Sequence, residues 1–142
     1  MKLLIALETS EHDEVMFGPA AQLARSAGAD VVLLNVVNPI ADAASIVAPT
    51  REEAVRTLVA DRQVYLERYT RQFDPPATVL VEEAQHGEDV PECIARAARE
   101  QQADILVIAT NRASGVRGLI LGSVAQHLLR LSPCPILVVR VD

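Results

Sequence analysis

The chain has 142 residues, of which 50% are apolar, and its formal net charge is −6. These values are typical of one folded domain with a substantial core and exclude a disordered chain. The acidic balance and the scarcity of aromatic residues argue against nucleic acid as a partner. No apolar run reaches the roughly 20 residues of a membrane span. The N-terminal MKLLIALETS turns polar too early for a signal peptide, so we expect a cytoplasmic protein.

Five apolar runs predict buried β-strands, and helical patterns fill the gaps between them. In chain order, the sequence predicts strand 2–7, helix 13–27, strand 30–37, helix 50–72, strand 77–83, helix 89–101, strand 104–109, helix 119–131 and strand 135–141. Three of the strand runs are continuous in Val, Ile and Leu, which is typical of parallel strands covered on both faces. With right-handed crossovers, this alternation builds an open parallel sheet with helices on both faces.

Local signals refine two of the helices and one loop. Gly28 predicts the end of the first helix, and the Gly-Pro pair at 18–19 predicts a late start or a kink within it. Thr50 and Glu53 form a capping-box pattern at the start of the second helix. Residues 38–50 form a long loop bracketed by prolines. Such a loop beside a crevice acts either as a lid or as a connector, and the sequence leaves both open.

The segment after the fourth strand has the layout of a phosphate site. Ligands bind these sheets beyond the carboxyl ends of the strands, where strand order reverses; with strand 1 central, that crevice is walled by 7–11, 36–39 and 109–115. Residues 109–126 contain three glycines and lead into a helical pattern, an arrangement that holds phosphates in many folds. A Walker-type loop is excluded, because it needs a lysine after its second glycine and Lys2 is the chain's only lysine.

Other site chemistry lacks support in the sequence. Cys93 and Cys134 have no C-x-x-C spacing, so both are expected to be buried apolar residues. Ser10, His12 and Asp13 crowd one loop, whereas triad members must converge in space. The three histidines fall on separate segments. We therefore predict no catalytic residue and no metal site. Six acidic residues are predicted on solvated faces or at helix starts: Glu52, Glu53, Glu82, Glu83, Glu88 and Asp89.

Longer motifs resemble a known family. They are LLIALETSEH after the first strand, VVLLNVVNP through the second, GEDVPECIARAAREQQADILVIAT before the loop, and the closing block LILGSVAQHLLRLSPCPILVVR. On these motifs the chain, with 1–142 as a single domain, resembles the universal stress protein family. The resemblance implies a flavodoxin-like (Rossmann-like) open five-stranded parallel sheet of order 3-2-1-4-5.

The same resemblance implies a homodimer formed by antiparallel pairing of the last strands. A bare apolar edge strand is prone to association, and a twofold partner would cover it. The implied interface residues are Ile136, Leu137, Val138, Val139, Arg140 and Val141.

The family has ATP-binding and non-binding members, and binders carry G-x2-G-x9-G-(S/T) after strand 4. Aligned on Gly122-Ser123, the first two glycines become Ala109 and Arg112. Ala109 adds a methyl group and disfavours a positive φ. Glu8 stands where binders carry an acidic residue, usually Asp. The implied nucleotide contacts are Ala6, Leu7, Glu8 and Val36 for adenine and ribose, and Arg112, Gly122, Ser123 and Val124 for phosphates.

Two interpretations of the loop remain open. In the first, Arg112 fills the phosphate site and pairs with Glu8 across the crevice, while Ser123 only caps the helix and Gly122 only allows a tight turn. The protein then binds ATP weakly or not at all and acts through protein partners. In the second, Arg112 replaces the lost glycines as a phosphate ligand, and the protein is a switch for ATP, AMP or cyclic AMP with Mg²⁺. Both describe a stress-response regulator, with at most weak ATP hydrolysis.

Overall fold

The computed structural model describes residues 1–110 and 122–140, and strands and helices alternate along them. The strands are β1 (Lys2–Ala6), β2 (Asp30–Val37), β3 (Thr78–Glu83), β4 (Ile105–Thr110) and β5 (Ile136–Arg140). The α-helices are α1 (Asp13–Ala27), α2 (Arg51–Glu67), α3 (Val90–Glu100) and α4 (Ser123–Leu131). The predicted helix residues 119–121, and Arg112 and Val141, lie outside the described residues. None of the described helices is long and apolar enough to cross a bilayer.

The strands form one parallel sheet of order β3-β2-β1-β4-β5, which confirms the predicted fold class. In the centre of the sheet, Leu4 is in register with Val32 on one side and Leu106 on the other. Successive side chains of a strand point to opposite faces, so β1 supplies both halves of the core. Leu3 and Ile5 pack with α1 and α2 on one face, and Leu4 packs with α3 and α4 on the other.

Helix α1 begins at its predicted residue in spite of its internal proline. It runs from Asp13 to Ala27 with Pro19 inside it, so the predicted late start is wrong. Acidic residues in the first turn favour a helix start at Asp13 through the helix dipole. The helix ends at Gly28, whose φ of 61° suits a residue without a Cβ.

Helix α2 also starts where the sequence predicted. The Oγ1 of Thr50 accepts the amide of Glu53 at 3.1 Å, which satisfies one of the free donors of the first turn. The helix ends at Glu67, earlier than predicted, and a 3₁₀ turn at Thr70–Gln72 follows. Within the preceding loop at 38–50, a second 3₁₀ turn spans Ala43–Ser45.

Candidate ligand crevice

The strand order reverses between β1 and β4, and two adjoining cavities lie at the carboxyl ends of these strands. The strand cavity has a volume of about 220 Å³ and lies against the ends of β1, β2 and β4. The helix cavity has a volume of about 240 Å³ and lies between β4 and the first turn of α4. Glu8, Ala109, Val124 and Ala125 line both cavities. A ligand can therefore extend from one cavity into the other, as is typical of such a switch point.

The nucleotide positions inferred from the sequence come together at this crevice wherever the structure describes them. Ala6, Leu7 and Val36 line the strand cavity, and Gly122 and Ser123 line the helix cavity. The remaining three are Glu8, Ala109 and Val124, which line both. Arg112, and with it the hypothetical ion pair to Glu8, lies outside the described residues.

Ala109 lies within a regular strand. It belongs to β4 and is in register with Val139 of β5. Positive φ angles among the described non-glycine residues occur at Thr9 and Gln102. Ala109 is extended in β4 and therefore carries no backbone strain in this structure. The methyl group in the cavity wall is the remaining difference from glycine.

The first turn of α4 faces the helix cavity with its backbone amides free of described acceptors. Gly122 is the N-cap residue, with φ −62° and ψ 164°, and Ser123 is the first helical residue. Ser123 therefore does not cap the helix, contrary to the sequence-based interpretation. Gly122 is not required by a tight turn either, since these angles suit any residue and an added Cβ would meet no described atom within 4 Å.

A buried hydroxyl without a described partner lies beside this helix end. Thr110, the last residue of β4, is 4% exposed and lines the helix cavity. Its Oγ1 has no hydrogen-bond partner among residues 1–110 and 122–140. Leaving a buried polar group unsatisfied costs free energy, so a hydrogen-bonding group bound in this cavity would be stabilised by the Thr110 hydroxyl. No sequence pattern had singled out Thr110.

The loop between β1 and α1 is held in shape by Asp13, which is 1% exposed. Its carboxylate accepts the amide of Glu8 at 3.0 Å, the amide of Ser10 at 3.2 Å and the hydroxyl of Tyr65 at 2.7 Å. Burial, and then the hydrogen bond to Asp13, raise the pKa of Tyr65. Asp13 thus fixes the backbone that presents Glu8 to both cavities and ties it to α2.

A second polar connection lies in the floor of the strand cavity. Asn35 is 3% exposed, and its Nδ2 donates to the backbone oxygen of Leu7 at 2.7 Å. Its Oδ1 accepts Nη1 of Arg62 at 2.7 Å. Arg62 and Asp42 also line this cavity. The sequence carried one signal for this group, since Asn35 interrupts the apolar run of β2.

Two sequence predictions away from the crevice are wrong. Cys93 is buried as expected, but Cys134 is only half-buried. Glu82 and Glu88 are not simply solvated, because Arg96 binds them at 3.5 and 3.0 Å. The hydrogen bond from Arg96 lowers the pKa of Glu88 to about 2. Burial raises the pKa of the Cys93 thiol to about 12, which makes that thiol a poor nucleophile.

The described residues contain no group of three or more His, Cys, Asp or Glu side chains placed to hold a metal ion. No catalytic relay links the side chains of Ser10, His12 and Asp13 either. The Asp13 carboxylate accepts two loop amides, and its hydroxyl partner is Tyr65. His12 lies at the N-cap position of α1 and makes no capping bond with its side chain.

Comparison with known proteins identifies the family. A model of the universal stress protein family matches residues 1–140. The chain belongs to the universal stress protein family. It is 29% identical over 139 residues to the Thermus aquaticus protein called universal stress protein in QAH/OAS sulfhydrylase 3'region, covering 97% of each chain. It is also 29% identical to a universal stress protein structure from Burkholderia pseudomallei, with a TM-score of 0.59 and coverage of 97% and 94%.

More distant members of the universal stress protein family share the fold. A structure from Archaeoglobus fulgidus, in complex with dAMP, is 19% identical with a TM-score of 0.58, and it covers 97% of this chain and 96% of its own. A universal stress protein in complex with cAMP is 16% identical with a TM-score of 0.65, covering 100% and 98%. At these identities the likeness extends to the fold, which is the flavodoxin-like sheet found above.

Proposed function

We propose that this universal stress protein is a non-catalytic, cytoplasmic stress-response regulator that binds a nucleotide in the crevice between β1 and β4. The observation that carries the proposal is the α4 end of the helix cavity. There the amides of Ser123 and Val124 have no described acceptor, and the buried Thr110 hydroxyl has no described partner. A helix N-terminus favours an anion, and a phosphate oxygen would also satisfy the hydroxyl.

The two adjoining cavities offer separate places for the base and the phosphates of a nucleotide. With the phosphates in the helix cavity, the base lies in the strand cavity beside Val36, and Glu8 stands between them. A carboxylate in that position can accept the hydroxyls of a ribose. The relatives in complex with dAMP and cAMP support a mononucleotide as the class of ligand.

ATP itself should bind weakly, because the motif that holds its phosphates is reduced. Ala109 replaces a glycine in the wall shared by both cavities, and Arg112 replaces another. These substitutions favour a second candidate function, an interaction protein that keeps the fold and acts on protein partners without a ligand. Mg²⁺ would accompany a di- or triphosphate only if the protein binds a nucleotide in the crevice.

Thermal unfolding distinguishes the two functions. The purified protein is heated with millimolar ATP, ADP, AMP or cyclic AMP, with and without Mg²⁺. A ligand at a hundred times its Kd adds about 2.7 kcal/mol to the free energy of unfolding. We expect at least one nucleotide to raise Tm by several degrees. No shift with any nucleotide would overturn the binding proposal and favour the interaction protein.

A matched pair of proline variants locates the phosphates. Ser123→Pro removes one amide donor at the first position of α4. Proline is well tolerated at this position, and the extended angles of Gly122 are compatible with a following proline. The control, Arg51→Pro, makes the same change at the first residue of α2, after the extended Thr50. Ser123→Pro should reduce the nucleotide-induced shift, whereas Arg51→Pro should leave it unchanged.

We also propose a homodimer formed through β5. This strand lies at the edge of the sheet, and Ile136, Leu137 and Val138 on it are only half-buried. Antiparallel pairing with a twofold copy would cover them. Sedimentation equilibrium should give twice the 15.3 kDa of one chain. A monomer mass at high micromolar concentration would contradict the dimer without affecting the nucleotide proposal.

A further inference from the structure

One peptide group at the end of β1 is hydrogen-bonded on both sides by buried side chains. The carbonyl oxygen of Leu7 accepts Nδ2 of Asn35 at 2.7 Å. The N–H of the same peptide group belongs to Glu8 and donates to Oδ1 of Asp13 at 3.0 Å. Breaking either bond would leave a buried polar group without its partner, which costs free energy. The Leu7–Glu8 peptide group, which lines the strand cavity, is therefore held in one position.

Both buried side chains are held in turn by α2. Nη1 of Arg62 donates to Oδ1 of Asn35, and the hydroxyl of Tyr65 donates to Oδ2 of Asp13, each at 2.7 Å. Residues three apart in a helix lie on the same face, so one face of α2 makes both connections. We call these four side chains the α2 clamp. Through it, the position of the peptide group that carries Glu8 depends on how α2 packs on the sheet.

The residue that follows the clamped peptide group has a strained backbone. Thr9 has a φ of 58°, in the left-handed region that its branched Cβ disfavours. The Asp13 carboxylate accepts the amides on both sides of Thr9, from Glu8 at 3.0 Å and from Ser10 at 3.2 Å. Such a conformation persists only where the surrounding structure determines it. Loss of the clamp should therefore let Thr9 relax and move Glu8 away from its place between the two cavities.

Tyr65 separates the effect of position from that of direct contact. Glu8 lines both cavities, and Arg62 and Asn35 line the strand cavity, where a ligand can touch them. Tyr65 lines neither cavity and acts on the crevice through the Asp13 carboxylate. A change at Tyr65 that alters the affinity for a ligand therefore reports the position of Glu8.

We propose that Tyr65 is a positioning residue of the ligand crevice, which sets nucleotide affinity from α2 by holding the peptide group of Glu8 through Asp13. This inference rests on the nucleotide binding proposed above and extends it to a residue outside both cavities. The effect is reciprocal by thermodynamic linkage, since a nucleotide that binds better when the clamp is formed must also stabilise the clamp. Nucleotide binding is thereby coupled to α2 and to the loop at 38–50, whose buried Ala43 packs on this helix.

Calorimetric titration of the full chain with ATP, ADP, AMP and cyclic AMP tests the role of Tyr65. Tyr65→Phe removes the hydroxyl that donates to Asp13 and keeps the ring. The matched control, Tyr69→Phe, removes a hydroxyl that donates to Glu14, an exposed carboxylate on α1. A hydrogen bond to a charged group changes an equilibrium roughly tenfold or more. We expect Tyr65→Phe to weaken the nucleotides that the wild type binds by about tenfold, and Tyr69→Phe to leave their affinities unchanged.

A double variant distinguishes positioning from a general loss of stability. Thr9→Gly removes the Cβ that disfavours a positive φ, so the loop should keep its shape with less support from Asp13. Combined with Tyr65→Phe, it should therefore restore part of the lost affinity, although it adds no contact to the ligand. A double variant that binds no more tightly than Tyr65→Phe would contradict the strain at Thr9 as the link between the clamp and Glu8.

Hydrogen exchange of the full chain measures the reciprocal effect. With a bound nucleotide, the amides around Tyr65 in α2 should exchange more slowly, and this protection should be smaller in Tyr65→Phe at equal saturation. The coupling to α2 would be wrong if a bound nucleotide left the exchange of these amides unchanged. If Tyr65→Phe bound as tightly as the wild type, the positioning role would be overturned and the nucleotide proposal would stand. If none of the four nucleotides bound to the wild type, the positioning role and the proposed function would fail together.

Discussion

Replacing Asp13 with alanine should be among the most destabilising single changes in the polar part of this protein. The carboxylate accepts the amides of Glu8 and Ser10 and the hydroxyl of Tyr65 while being 1% exposed. Hydrogen bonds to a charged group contribute about 1.5–3 kcal/mol each. The two loop amides can regain water in the variant, so the loss is smaller than three full bonds.

We expect Asp13→Ala to lower the free energy of unfolding by about 3 kcal/mol, which corresponds to a drop in Tm of roughly 10 °C for a domain of this size. Urea denaturation followed by circular dichroism measures it. Asp13→Asn should cost less, because one acceptor oxygen remains. The control, Glu11→Ala, changes an exposed acid in the same loop and should stay within about 0.5 kcal/mol of the wild type. A loss for Asp13→Ala no larger than that of the control would refute the role given to this carboxylate.

Three further predictions concern groups described above. Burial and the hydrogen bond to Asp13 raise the Tyr65 pKa above its ordinary 10.0. The stabilisation that the protonated Tyr65 provides is therefore complete below pH 10.0 and is lost as pH rises further. In the Tyr65→Phe variant, stability should fall less steeply in that range, which urea midpoints at several pH values would measure. Arg96 lowers the Glu88 pKa from 4.5 to about 2, so the stability that this pairing contributes is present above pH 4.5 and is lost as pH falls towards 2. Glu88→Gln should make the free energy of unfolding depend less on pH in that acid range. An unchanged acid dependence would contradict the pairing. Thr110→Val removes a buried hydroxyl that has no described partner. It should raise the free energy of unfolding of the free protein by about 1 kcal/mol yet reduce the nucleotide-induced shift in Tm.

The fold could be predicted because local and global signals agree. The continuous apolar runs of β2 and β4 indicated parallel strands, and the alternation with helices left few topologies. Thr50 and Gly28 marked helix ends by backbone chemistry that needs no tertiary information. Pro19 led to the wrong prediction of a late start for α1. The free energy lost with one hydrogen bond is offset by the packing of the rest of that helix in the core.

The site could be predicted only in part. The family motif located the positions along β1, β2 and α4 that line the crevice. It could not reveal Arg62 or Asp13, because their partners lie at sequence separations of 27 and 52 residues and depend on how α2 packs on the sheet. Thr110 could not be predicted for a different reason, since the lack of a described partner for its hydroxyl depends on three-dimensional packing alone.

The most direct test of the central claim, that a nucleotide phosphate binds at the N-terminus of α4, is an amide NMR titration of the labelled full chain with AMP and with ADP. We expect saturable shifts of the Ser123 and Val124 amides, which lie at that helix end, and of Thr110 beside them. If none of these three amides shifted at millimolar nucleotide, or if the shifts were confined to the outer edge of β5, the proposed site would be wrong.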